Sequence, residues 1–232
     1  MTVCYTLTIE ESEVIQSPTE DSFVGGQPKL PFEHEIPCCR DCGAEQSFFF
    51  QVAFPEKHVW CGRSMAVFMC TACVEEETLI PRMLNAPLLG ADIPAGFLDD
   101  YQTNFRILIF ESSRGVLKTT YQERVKFKRI SLVETDDPKR NDHKLGGEPN
   151  WLLGDETPNT YNSTQRMAFL MQLLEGYMFE IGSDAPQQLK LGLGTVPVPM
   201  NKPFYRLFLK NQLYFFGTVD QDHPLVYILT QV

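Results

Sequence analysis

The residues most able to do chemistry are two Cys-x-x-Cys pairs, Cys39–Cys42 and Cys70–Cys73. Between Cys42 and Cys70 lie 27 residues, a span that a loop or hairpin closes readily. Each pair offers two thiolates from one tight turn, and two such turns brought together form a tetrahedral four-sulfur cage. Zinc suits that cage, because it has no d-electron geometric preference and favours thiolates. The spacing therefore predicts structural Zn2+ on Cys39, Cys42, Cys70 and Cys73. Cys38 is the one alternative ligand, although Cys39 keeps the two-residue gap. Cys4 and Cys61 have no partner spacing and are expected to be small buried hydrophobes.

Other uses of these cysteines fit less well. A thioredoxin-type motif needs one pair opening a helix after a strand, and neither pair is followed by a helical pattern. Disulfides need an oxidising compartment. The N-terminus lacks the basic and apolar regions of a signal peptide, and no apolar run has transmembrane length. The expectation is a cytoplasmic protein with no membrane partner, in which clustered thiols hold metal.

Composition narrows the function classes. The 232 residues are 43% hydrophobic, enough for a sizeable core, and the net charge of −10 argues against nucleic acid. A mild basic cluster, Arg124, Lys126, Lys128 and Arg129, alternates along a strand-like run and reads as a solvated sheet face. An acidic surface also suits a basic protein partner.

The elements positioning the cysteines read as β-rich. Val3, Tyr5, Leu7 and Ile9 alternate with polar residues. Further strands are expected over residues 48–52, 67–69, 105–110, 125–133, 205–209, 213–216 and 226–229, and 164–175 is expected as strand rather than helix. Residues 79–98, with three prolines, read as an irregular connection packed on the core, and 136–147 as the polar joint between two halves.

The halves are expected to be related. A shift of 121 residues places Gly25-Gly-Gln-Pro28 on Gly146-Gly-Glu-Pro149, Phe48 on Phe169 and Gln51 on Gln172. The paired glycines point to positive φ or a close backbone approach. Under this shift Cys39 falls on Thr160 and Cys42 on Ser163, while a looser match puts Cys70 on Lys210 and Cys73 on Leu213. Metal is therefore expected only in the first half (1–135). The second (136–232) should hold its loop by packing, with Trp151, Leu152 and Leu153 as candidates.

The Gly-Gly-x-Pro start, Pro37 before a Cys-x-x-Cys, the aromatic strand ending in Gln51, and Phe68-Met-Cys-Thr-Ala-Cys73 together resemble the YwqG-like family of bacterial proteins. Residues 143–152, 169–172 and 213–217 are similar to that family's C-terminal half. The resemblance implies an α+β fold with internal pseudo-symmetry around antiparallel sheets, no catalytic residues, and an immunity protein that neutralises a toxin domain. A related eukaryotic group, the programmed-cell-death-2-like proteins, shares the doubled layout and zinc cysteines, and implies a chaperone for a ribosomal protein. Contact with a basic toxin domain is expected at the acidic loops, Asp99, Asp100, Glu134, Asp136 and Asp137.

An enzymatic reading has few residues to stand on. His58 and Cys61 could in principle activate a thiolate, but Trp60 between them favours a packed hairpin. His34 with Glu33 and Glu35 reads as solvated loop, His143 as a hydrogen-bonder of the adjoining Gly-Gly turn, and His223 as a turn residue. No phosphate-binding loop, nucleophile elbow or His-Glu-x-x-His pattern occurs.

Overall fold

The computed structural model describes residues 3–11, 14–74, 79–85, 88–193, 196–220 and 222–232. Strand accounts for 38% of the chain and helix for 3%, so the fold is β-rich and its helical part consists of short turns such as Ser112–Arg114.

The strands are β1 Cys4–Ile9, β2 Phe23–Val24, β3 Lys29–Leu30, β4 Ser47–Ala53, β5 Arg63–Met69, β6 Asp92–Ile93, β7 Phe105–Glu111, β8 Val116–Leu117 and β9 Lys128–Thr135. They continue with β10 Lys144–Gly146, β11 Thr160–Tyr161, β12 Gln165–Leu173, β13 Phe179–Glu180, β14 Leu189–Leu191, β15 Pro197–Pro199, β16 Phe204–Tyr205, β17 Gln212–Thr218 and β18 Val226–Gln231. One large sheet runs in the order β18-β17-β12-β10-β1-β9-β2-β4-β5-β7, with β11 and β6 attached beside β12. The pairs along this path are antiparallel, whereas β6 and β11 run parallel.

The interval of 121 residues seen in the sequence recurs in the pairing. Phe23 and Val24 oppose Gln51 and Phe50, and 121 residues later Lys144 and Leu145 oppose Gln172 and Met171. The register of β4 on β5 shifts between Phe48 and Phe50, and that of β12 on β17 between Phe169 and Met171. Gln51 accepts from the Lys29 amide and donates to the Asp21 carbonyl. Gln172 accepts from Asn150 and donates to Asp142, each partner again 121 residues on. Gly25 and Gly146 both have positive φ, and a Cβ on either would press on a backbone carbonyl, of Lys126 or of Val3. That close approach explains the glycines physically: no side chain fits where the crossing backbone passes.

Both ends of the sheet meet one loop. The Tyr101 hydroxyl donates to the Ile228 carbonyl (2.7 Å) and accepts from the Ile228 amide (2.9 Å) on β18. The adjacent Gln102 side chain accepts from the Ile107 amide on β7. Edge strands left unpaired invite aggregation, and here a neighbouring side chain engages one residue of each.

The curled sheet encloses one main core drawn from both halves. Phe50 on β4 meets Phe215 on β17 edge-on at 6.1 Å, and Phe49 meets Phe179 at 4.9 Å. Trp60 is fully buried and its indole donates to the Thr218 carbonyl (2.9 Å). The same ring lies over Gly217, where a Cβ would clash with it. A smaller cluster on the other side gathers Phe23, Phe48, Phe68, Phe110 and Phe127.

Some sequence expectations shift. The strand expected over 125–133 begins at Lys128 and ends at Thr135, leaving Val125 in a single bridge to Ile181. Its basic cluster is ion-paired rather than simply solvated: Arg124 to Glu45, Lys126 and Lys128 to Glu180, and Arg129 to Glu20. The strand expected over 205–209 stops at Tyr205, because Phe208, Leu209 and Lys210 all have positive φ (42°, 61° and 69°). The described residues among 79–98 are mostly irregular, as expected, but include the short strand β6.

Candidate metal centre

The four cysteine sulfurs converge. Each Sγ of Cys39, Cys42, Cys70 and Cys73 lies within 4.8 Å of the others. Cys39 and Cys73 are 3.5 Å apart, and Cys42 and Cys70 are 3.6 Å apart. A disulfide requires about 2 Å, whereas a tetrahedral thiolate site with metal–sulfur bonds of about 2.3 Å has sulfur–sulfur edges of about 3.8 Å. The spacing therefore fits a metal and excludes disulfides in this arrangement. Cys39, not Cys38, is the buried member; Cys38 is exposed.

Local structure builds the two knuckles. The Cys39 amide donates to the Ala44 carbonyl (2.8 Å) and the Gly43 amide to the Cys39 carbonyl (2.9 Å). Gly43 makes this turn at φ +76° with open space around it. In the second knuckle the Ala72 amide donates to the Cys70 sulfur (3.4 Å), and the Cys70 amide to the Asn104 carbonyl (2.7 Å). The Arg40 amide donates to the Thr103 carbonyl, so the segment leading into β7 ties both knuckles together.

Burial pushes the Cys70 thiol up to about 11 and raises that of Cys73 as well. Burial acts the same way on Cys42, but the Ala44 amide and the neighbouring thiols outweigh it and lower that group. Metal binding must therefore release protons, which makes affinity fall with acidity.

The second half secures the corresponding loop differently. Thr160 Oγ1 donates to Asp92 Oδ1, the Ser163 amide to the same oxygen, and Ser163 Oγ to Oδ2, each at 2.7 Å. Thr160 and Ser163 are the residues on which the 121-residue shift places Cys39 and Cys42. Those hydrogen bonds hold the Asp92 carboxyl below the usual range. Packing by Trp151, Leu152 and Leu153 was the expectation. Only Trp151 packs, against Tyr214 and Phe216, while Leu152 and Leu153 are exposed. The sole sequence signal for this role was an isolated carboxylate in an otherwise apolar, proline-rich connection.

The looser match of the second cysteine pair finds a closer parallel in the hydrogen bonds. The Cys70 amide donates to Asn104 O, and the Thr218 amide to Leu225 O, 121 residues beyond Asn104. This bonding likens Cys70 to Thr218 rather than to Lys210. Lys210 is likened in the same way to Gly62: the Arg63 amide donates to Trp60 O and the Asn211 amide to Phe208 O, both at 3.1 Å.

His58 and Cys61 form no catalytic pair. His58 Nδ1 accepts from the Trp60 amide (3.0 Å), so Nε2 carries the proton and donates to the Leu170 carbonyl (3.1 Å). Burial lowers the ring's pKa to about 4. Cys61 is exposed rather than buried, contrary to expectation, because it lies within the turn that joins β4 to β5. His143 does not bond the Gly-Gly turn either; its Nδ1 accepts from the Leu174 amide (3.0 Å).

The acidic residues expected to meet a partner are all exposed: Asp99 and Asp100 before Tyr101, Glu134 on β9, and Asp136 and Asp137 in the following turn. Glu134 is engaged by Lys57 (2.8 Å), and Asp137 accepts from the Lys139 amide (3.1 Å). A cleft of about 610 Å³ lies between Gln16, Lys126, Phe127 and Glu180; Lys126 and Lys128 on its wall pair with Glu180 and Glu11, and Glu123 accepts from the Phe127 amide. No helix among the described residues is long and apolar enough to cross a membrane. Scans against known families, curated proteins and solved structures find no match.

Proposed function

We propose that this chain is a cytoplasmic immunity protein that neutralises a basic toxin domain by stoichiometric binding, its first half pinned by a structural Zn2+. The observation that carries the metal part is the four-sulfur cluster, whose four thiolates would fill a tetrahedral coordination sphere. Four protein ligands are the hallmark of a structural rather than a catalytic zinc site. The binding part rests on the resemblance to the YwqG-like family, the net charge of −10, and the exposed carboxylates Asp99, Asp100, Glu134, Asp136 and Asp137. Charge complementarity of this kind chiefly speeds encounter with a basic partner.

The recurring hydrogen bonds of Gln51 and Gln172 support descent of the two halves from one duplicated unit. That doubled layout also favours a second reading, a chaperone-like binder of a basic ribosomal protein. The two readings separate in one experiment. The chain is co-expressed with any toxin-like domain that its neighbouring gene encodes, and growth rescue, gel filtration and metal content are read together. Rescue with a one-to-one complex and one zinc per chain supports the first reading. Copurification with a ribosomal protein and no rescue supports the second. Wild-type metal content and melting in Cys39→Ser or Cys70→Ser would refute the metal assignment.

A further inference from the structure

We infer that Gln46 is the hydrogen-bonding partner of the metal centre, its side-chain amide donating to a thiolate of the cysteine cluster once the ion is bound. This deepens the structural-zinc reading and rests on it.

Gln46 stands out by what it lacks. Its side chain is fully buried, and neither Nε2 nor Oε1 has a hydrogen-bond partner among the described residues. The other buried glutamines, Gln51, Gln172, Gln188, Gln212 and Gln231, each donate from Nε2 to a backbone carbonyl. A buried amide left unpaired is costly, so its retention at this one position calls for a partner that forms with the metal site.

The strands place this amide beside the ligands. On one side the Gln46 amide donates to the Pro37 carbonyl (2.9 Å) and the Cys39 amide to the Ala44 carbonyl (2.8 Å), around the bridge between Cys38 and Glu45. That pairing puts Pro37 and Cys39 on the same face as Gln46. On the other side Ser47 opposes Met69, so Gln46 stands one step along, at Cys70. The Ser47 and Thr71 hydroxyls meet at 3.2 Å on the face of Met69, which belongs to the main core. Alternation therefore turns Gln46 and Cys70 to the opposite face, that of Phe48 and Phe68. Gln46 lies between the segments that supply Cys39 and Cys70, on the face both ligands share.

The second half offers the comparison. Met167, 121 residues beyond Gln46, opposes Thr218, the residue that hydrogen bonding likens to Cys70. Where threonine stands for the cysteine, an apolar chain of similar length stands for the amide. Four thiolates on a divalent ion form a dianion, and an N–H given to a charged acceptor makes a bond about twice as strong as one between neutral groups. Groups that bond to metal ligands in this way orient them and raise affinity for the ion.

The test uses the full chain loaded with a divalent ion. With cadmium-113, proton–cadmium correlation spectra should show coupling from the ion, through a thiolate sulfur, to a Gln46 side-chain amide proton. Gln46→Met keeps the length of the side chain and removes the donor. It should weaken zinc affinity in chelator competition by about tenfold or more, and shift the sulfur-to-metal charge-transfer band of the cobalt-loaded chain. A residue that only filled space would move neither the coupling nor the band. If the wild-type chain binds no metal, the zinc reading and this inference fall together. If it binds one ion per chain but Gln46 shows no coupling to cadmium, or Gln46→Met holds zinc as tightly as wild type, this inference alone is overturned.

Discussion

Acidification should destabilise this protein through His58 in a calculable way. The ring is buried, stacked on Phe54 at 4.6 Å, and uses both nitrogens in its neutral form: Nδ1 as acceptor and Nε2 as donor. Protonating Nδ1 would replace an acceptor by a donor facing the Trp60 amide. Burial accordingly lowers its pKa from about 6.5 to about 4. The folded-state pKa is the lower one, so the unfolded chain takes up the proton first. The resulting stability is fully present above about pH 6.5 and is lost as pH falls through about 4. At about 1.4 kcal/mol per unit, a shift of this size is worth about 3 kcal/mol in total, of which about 2 is lost by pH 5. Urea unfolding at pH 7.5, 6, 5 and 4 in wild type and His58→Gln isolates the effect, since proton-driven metal loss is common to both. The variant should be less stable at pH 7.5 and converge on wild type as the pH falls. A parallel proton titration of the ring by NMR should give a midpoint near 4. Equal pH slopes in the two proteins, or a ring midpoint near 6.5, would refute the argument.

Three further outcomes follow from the packing. Gly217→Ala places a methyl group against the Trp60 and Leu170 side chains and should cost about 1–3 kcal/mol, read as a lower urea midpoint with unchanged slope. Lys210→Gly relieves a φ of +69° at the position where the first half has Gly62 at +77°, and should raise stability by about 1 kcal/mol, seen as a melting temperature about 2–4 °C higher. Asp92→Ala removes all three hydrogen bonds to Thr160 and Ser163, so the Ser163 amide should lose hydrogen-exchange protection while the cysteine knuckles keep theirs. In wild type the same carboxylate, held below its ordinary pKa, should make protection at Ser163 fall as acid protonates it.

Much of the cysteine cluster was legible because its signals are local. Two residues between cysteines form a turn whatever the rest of the fold does, and the period of two in β1 needs only the neighbouring side chains to be read, whereas β12 shows no such period and reads as strand only beside residues 48–51. Strand limits were less legible: residues 205–209 carry a β-like composition, yet Phe208 is driven into the core against Phe105, and the backbone turns left-handed to place it. The paired acidic residues illustrate another boundary, since Glu134 reads as free in sequence and is held by Lys57, 77 positions away.

By itself the amino-acid order determined a β-rich chain, four clustered thiols and glutamines spaced 121 residues apart, because turn geometry and side-chain alternation are properties of adjacent residues. Tertiary structure decided what could not be local. A carboxylate from the proline-rich connection holds the second loop, Trp60 crosses over Gly217, and Leu189 ties an exposed hairpin to the metal knuckle. Each of these joins groups far apart in the chain, and such contacts exist only once the sheet has curled to bring its halves face to face.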